Sequence, residues 1–144
     1  MTIRNQLAIL TCLFAFGCMT LAGKPTASSS CSFEQVWDAS SAALSDFQLQ
    51  TVDKATGVLE TQWVEVQAST QAGIIQRDVN RERVKYSVEV KREGAGVVAT
   101  VLQLREEWSP MGVRSRQWRG IPSHDAEEMA AAAEITRRLK EKGC

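Results

Sequence analysis

Residues 81–92 read Arg81-Glu82-Arg83-Val84-Lys85-Tyr86-Ser87-Val88-Glu89-Val90-Lys91-Arg92, and this stretch decides the fold. Val84, Tyr86, Val88 and Val90 fall on one side, and Arg83, Lys85, Ser87 and Glu89 on the other. A strict period of two over that length predicts a half-buried strand of an antiparallel sheet. Its apolar face must then be covered by another layer.

Downstream, Glu93-Gly94-Ala95-Gly96 predicts a hairpin turn, with Val97 to Trp108 (VVATVLQLREEW) as the partner strand. Ser109-Pro110-Met111-Gly112 turns the chain again. Val113 to Arg119 (VRSRQWR) is short and charged, as suits a sheet edge. Upstream, Phe47 to Val52 alternates as a strand, and Asp53-Lys54-Ala55-Thr56-Gly57 is a turn in which Gly57 can take positive φ. Val58 to Val66 predicts another strand with a divided pattern. Leu59, Thr61 and Trp63 point one way, while Val58, Val64 and Val66 point the other. Gln67 to Asn80 reads as a loop or irregular edge, broken at Ala72-Gly73, with Ile74-Ile75 able to return to the core.

Helices flank the strands. Ser32 is a good N-cap, and Gln35 completes a capping box before Phe33, Val36, Trp37 and Leu44 recur at helical spacing, giving a helix over about 33–45. A second helix opens after Pro122, capped by Ser123 or Asp125, with Glu127 and Glu128 at the positive end of its dipole. Met129, Ala132, Ala133, Ile135, Thr136 and Leu139 form its expected apolar stripe. The order is α-β-β-β-β-β-α, and turns this short exclude parallel crossovers. The expected fold is α+β: an antiparallel sheet of four to five strands with both terminal helices on one face.

The N-terminus predicts export. Arg4 supplies a positive start, and Leu7 to Phe16 (LAILTCLFAF) is an apolar run too short to span a bilayer as a helix. Residues 1–23 therefore read as a signal peptide. Cleavage before Cys18 would make a lipoprotein, since Leu13-Phe14-Ala15-Phe16-Gly17-Cys18 resembles a lipobox, with Ala15 and Phe16 departing from the usual pattern. Ordinary cleavage near Ala22 or Gly23 would leave a soluble periplasmic protein. Residues 24–30 (KPTASSS) read as a flexible tether, and 31–144 as one domain.

Cys12 lies within the leader, so Cys31 and Cys144 remain in the domain, besides Cys18 if it carries lipid. Exported proteins keep disulfides, and an even pair invites one. A bridge would close a loop of more than about 100 residues and bring the start of the first helix to the end of the last; the alternative is two free thiols, one at a frayed C-terminus.

The chain has 144 residues, 44% hydrophobic and 24% charged, with 17 basic and 17 acidic side chains. Zero net charge argues against nucleic acid as a partner. The sole histidine, His124, beside Asp125, has no visible nucleophile partner. Adjacent Glu106 and Glu107 point to opposite faces of a strand and do not converge. The expectation is therefore no enzyme, no metal and no cofactor. Arg77, Arg81, Arg83, Lys85, Arg114, Arg116 and Arg119 make a basic patch if the strands near 83 and 116 are neighbours, diluted by Glu82, Glu89 and Glu93. Such a patch suits phosphate head groups or an acidic partner. Trp37 reads as core. Trp108 and Trp118 flank the 109–112 turn and either pack plainly or line a groove for a peptide or lipid. Trp108, Trp118, Arg83 and Arg116 are the candidate binding surface.

Phe33-Glu34-Gln35-Val36-Trp37, Leu44, Phe47 and the run Asp53 to Trp63 (DKATGVLETQW) resemble the BamC (NlpB-type) lipoproteins of outer-membrane protein assembly, as does Arg81 to Val88 with its glycine hairpin. The likeness covers about 31–105. It implies a helix-grip fold and a non-enzymatic role through protein contact. The chain departs from the family in having one such domain and no long N-terminal partner-binding segment that can be identified. The expectation is an outer-membrane lipoprotein facing the periplasm of a Gram-negative envelope, held by its lipid and contacting envelope or outer-membrane proteins. The alternative is a soluble periplasmic module holding a lipid or small apolar ligand in a helix-grip cleft.

Overall fold

The computed structural model describes residues 23–26, 29–68, 80–110 and 116–144. The leader with Cys12 and Cys18, the 69–79 stretch with Arg77 and Ile74-Ile75, and 111–115 with Arg114 lie outside the described residues.

The architecture is α+β, an antiparallel sheet with an N-terminal and a C-terminal helix. The elements are β1 (Lys24–Pro25), α1 (Phe33–Ala43), β2 (Leu49–Asp53), β3 (Val58–Thr61), β4 (Val64–Val66), β5 (Arg81–Glu93), β6 (Gly96–Trp108), β7 (Trp118–Ile121) and α2 (Asp125–Glu141). The spine is β5 against β6, which pair without interruption from Arg81↔Trp108 to Glu93↔Gly96. On one side of β5 lie β3 and β4, with β2 beyond β3; β1 and β7 share the far side of β6.

Among the described residues the sheet has seven strands, not the four to five expected from the sequence. Two differences account for the excess. The stretch read as a tether carries β1, where Lys24 pairs with Val101. The Thr26 amide then donates to the Ala99 carbonyl at 2.8 Å, and the Ala99 amide to Thr26 Oγ1 at 3.1 Å. Small polar residues suit a tether, but they also suit an edge strand lying close against its neighbour, and the open edge of β6 decides between the two.

The second difference is a break in the 58–66 strand. Leu59 pairs with Val88 and Glu60 with Ser87, whereas Val64 pairs with Val84 and Glu65 with Arg83. One residue has been inserted between the two segments, which is a β-bulge. The divided hydrophobic pattern follows from it. Leu59 and Thr61 face inward before the bulge, and Val64 and Val66 share the face of Val84 and Glu82 after it. Thr61 Oγ1 accepts the Tyr86 backbone N–H at 3.0 Å where the ladder is interrupted.

The capping box at Ser32 forms. Ser32 Oγ accepts the Gln35 N–H at 3.3 Å, and Gln35 Oε1 accepts the Ser32 N–H at 2.9 Å. The helix stops at Ala43, two residues before the expected end, and Phe47 leaves the strand to pack on Tyr86 with ring centroids 5.1 Å apart. β7 is Trp118–Ile121, so it ends two residues beyond the strand expected over Val113 to Arg119.

Both helices contribute to one core. Val36, Trp37, Ala39 and Leu44 of the α1 region, and Ala132, Ile135 and Leu139 of α2, cluster with Leu59, Val88, Val90, Ala99 and Val101 on the inner sheet face. Each fully buried large aliphatic side chain there stabilises the fold by about 1.5–3 kcal/mol. On α2 the buried stripe is Glu128, Ala132, Ile135 and Leu139. Met129, expected in the stripe, is 54% exposed, and Ala133 is also exposed. Ala132, Ile135 and Leu139 lie on the buried face as expected, while its first turn is filled by Glu128, whose carboxylate accepts the Gln103 N–H of β6.

Candidate functional site

The period of two along β5 and β6 puts one polar-aromatic row on the outer sheet face, away from the helices. Direct cross-strand pairs place Lys85 beside Leu104, Arg83 beside Glu106 and Arg81 beside Trp108. β7 sets Trp118 next to Trp108, and β4 sets Glu65 next to Arg83. The bulge sends Trp63 outward to join them, although the sequence alternation grouped it with the inward Leu59 and Thr61.

The result is a ladder in which cations lie between indole rings. The Arg83 guanidinium carbon is 4.6 Å from the Trp63 ring centroid and 4.3 Å from that of Trp118. The Arg81 carbon is 5.7 Å from both Trp108 and Trp118. Lys85 Nζ is 5.7 Å from Trp63. Contacts of this kind are worth about 0.5–2 kcal/mol each, depending on exposure.

Each of these cations also has a carboxylate. Arg83 Nε donates to Glu106 Oε2 at 2.7 Å, Arg81 Nε to Glu65 Oε2 at 3.2 Å, and Lys85 Nζ to Glu60 Oε2 at 3.4 Å. Among the described residues of the ladder, the three cations Arg81, Arg83 and Lys85 are therefore balanced by Glu65, Glu106 and Glu60. Glu82 points inward to a buried pair with Arg105, and Glu89 pairs with Lys91. Of the candidate surface, the structure brings Arg83, Trp108 and Trp118 together. Arg116 is exposed in the turn before β7 with φ 64°, in none of these ring contacts. Arg119 lies on the opposite face from Trp118, 4.0 Å from Glu107.

Glu106 and Glu107 point to opposite faces, the first to Arg83 and the second to Asn80, whose Nδ2 donates to it at 2.8 Å.

A second polar cluster lies on the inner face where α2 begins. Between the residues of β6 paired with β1 and those paired with β7 stands Gln103, whose N–H points into the gap. Glu128 Oε1 accepts it at 2.9 Å, and Glu128 is only 1% exposed. Gln103 Oε1 accepts the backbone N–H of His124 at 3.0 Å. Gln103 Nε2 donates to Tyr86 Oη at 3.0 Å and to Glu127. His124 is the N-cap residue, where Ser123 or Asp125 was expected, but its side chain makes no cap bond; Nδ1 lies 3.3 Å from Glu127 Oε1.

These contacts move two titrations. Burial pushes the Tyr86 phenol above its ordinary value, and the charges of Glu127 and Glu128 add to the effect against the Gln103 bond. Burial also pushes Glu127 up. Hydrogen bonds from Gln103, His124 and Tyr86, with the charge of His124, outweigh it and hold Glu127 below the usual carboxylate range. Beside this cluster, Arg105 Nη2 reaches Glu82 Oε2 at 2.5 Å, both side chains buried, and Nη1 donates to the Pro122 carbonyl at 3.0 Å. A cleft of about 260 Å³ opens there between Val66, Val84, Glu82, Arg105, His124 and Glu127. Among the described residues, no group of three or more His, Cys, Asp or Glu side chains is placed to hold a metal ion.

At the other end of the molecule the sulfurs of Cys31 and Cys144 are within bonding distance, their Cα atoms 5.4 Å apart across 113 residues of sequence. The pair ties the start of α1 to the end of α2.

Sequence reasoning missed the Gln103–Glu128 contact and the outward turn of Trp63. The only sequence signal for the latter was the divided alternation of residues 58–66. No protein-family model matches the sequence, and no curated protein matches it.

Proposed function

We propose that the chain is a non-enzymatic lipoprotein of a Gram-negative envelope, anchored in the outer membrane through Cys18 and facing the periplasm. Its domain is a helix-grip fold of the BamC type that works by contact, accessory to outer-membrane assembly or maintenance. The observation that carries this reading is the Cys31–Cys144 pair, because a bond joining the two ends of a domain suits an oxidising compartment and agrees with the export leader. The order helix, antiparallel sheet, helix supports the kinship. The aromatic ladder offers a recognition surface. The space between sheet and helices is occupied by Val36, Trp37, Leu59, Val88, Ile135 and Leu139, which favours a surface over a ligand cleft.

The test is envelope crosslinking of the full-length protein in cells, followed by fractionation and recovery. The expected result is a membrane-bound protein, oxidised at Cys31 and Cys144 and crosslinked to an envelope protein. Recovery from the cytoplasm with both thiols free would overturn the reading.

A further inference from the structure

We infer that the Trp63–Arg83–Trp118–Arg81–Trp108 ladder is the domain's seat on the lipid bilayer, resting in the head-group region of the membrane that holds the anchor. The inference depends on the lipoprotein reading above.

The first argument is one of direction. β1 runs antiparallel to β6 with Lys24 opposite Val101, which sets Gly23 opposite Leu102. β1 therefore starts on the side of β6 that leads to Trp108, the end that carries the ladder, and runs away from it. Gly23 also lines a shallow outer-face cleft of about 270 Å³ with Ser87, Thr100 and Leu102.

The second argument is one of length. Because Lys24–Pro25 is already a strand of the sheet, the free length before it is short: five residue steps separate Cys18 from Gly23. They span at most about 18 Å. The distance along β6 from Leu102 to Trp108 is about 20 Å. An anchor at Cys18 can thus reach the level of the Arg83–Glu106 pair, about 13 Å from Leu102 along β6, while Cys31 and Cys144 lie toward the opposite end, where Ser29 meets Val97.

The third argument is chemical. Indole rings favour the bilayer interface, where an apolar body and a polar N–H are both satisfied. Arginine and lysine lay their methylene stems along apolar surface and keep the charge at head-group level. Since Arg81, Arg83 and Lys85 are each matched by a carboxylate, the seat carries little net charge. It fits a zwitterionic interface and does not need anionic lipid, in contrast to a polybasic patch.

The experiment uses full-length protein purified from the envelope and returned to phosphatidylcholine vesicles with or without brominated acyl chains, which quench nearby tryptophan. The mass of the mature N-terminus is measured first. Brominated vesicles are expected to quench the wild-type emission. Trp63→Phe and Trp118→Phe should each reduce the quenched fraction, and Trp37→Phe, within the helix layer, should leave the absolute loss unchanged. Should Trp37→Phe not fold, the two outer-face variants still decide. Quenching should persist at about 0.5 M salt, where screening is within a few Å.

Absence of quenching in a protein whose mass shows the lipid would overturn the seat and leave the lipoprotein reading standing. Quenching that requires anionic lipid and vanishes with salt would replace it with a basic-patch mechanism. Crosslinking of Trp118 to an envelope protein in place of lipid would assign the ladder to a protein partner. A mature chain without lipid would overturn both readings.

Discussion

Glu128 accepts the backbone N–H of Gln103 at 2.9 Å, standing in for the strand that neither β1 nor β7 supplies at that point of β6. A carboxylate projecting from a helix thus completes a sheet edge. It also explains why a charged residue opens the buried stripe of α2 while Met129 beside it is exposed.

Glu128→Ala removes that acceptor and leaves a buried N–H without a partner. The expected loss is about 1–3 kcal/mol. Glu128→Gln keeps a side-chain oxygen in reach and should lose less. Urea midpoints at unchanged m-value measure both; equal losses for the two variants would contradict the role given to the oxygen.

Tyr86 is the only tyrosine in the chain, so its titration can be read directly from phenolate absorbance. Burial, then the charges of Glu127 and Glu128, raise its folded value above that of the unfolded chain. The neutral phenol is therefore favoured by folding. Its contribution is fully present below the ordinary tyrosine value of about 10 and is lost as pH rises through the folded value. The expected outcome is a phenolate midpoint above about 10 and a fall in stability over that alkaline window. Tyr86→Phe should flatten the fall; an ordinary midpoint in folded protein would refute the burial argument.

Reduction, or Cys144→Ser, opens the link between the two ends. Closing a loop of this length contributes up to about 4–5 kcal/mol in the chain-entropy account. Thermal unfolding with and without reductant is expected to show a large drop in midpoint, with no drop for Cys144→Ser, which has no link left to reduce. A wild-type midpoint indifferent to reductant would show that the bond contributes nothing.

Gly57 ends the turn before β3 with φ 76°, and its carbonyl accepts the Val90 N–H at 2.8 Å. A Cβ at this position would collide with the Val90 carbonyl oxygen. Gly57→Ala therefore combines a left-handed backbone with a backbone clash and is expected to lose at least about 2 kcal/mol. Gly94→Ala is the comparison, since Gly94 also has positive φ but open space around it. It should lose less, as read from chemical unfolding of both.

Much of the fold was legible because local rules sufficed. The alternation of Val84, Tyr86, Val88 and Val90 reported one buried face, Ser32 and Gln35 announced a helix start, and Gly57 marked a positive-φ turn. The site was only partly legible. Arg83, Trp108 and Trp118 could be placed on one face if their strands were neighbours, but their carboxylate partners could not be foreseen. Glu65 meets Arg81 only because β4 lies beside β5, and Glu60 meets Lys85 only because β3 does.

By itself the sequence determined which residues alternate, where a helix is capped and which turns need glycine, because these depend on neighbours a few residues away. Tertiary structure alone decided that Lys24–Pro25 joins the sheet, that Trp63 turns outward and that Glu128 turns inward. Each of those choices answers a backbone group or ring contributed by a strand distant in the chain. The cause is the obligation to satisfy every buried N–H and carbonyl, which is discharged wherever the folded chain happens to offer a partner.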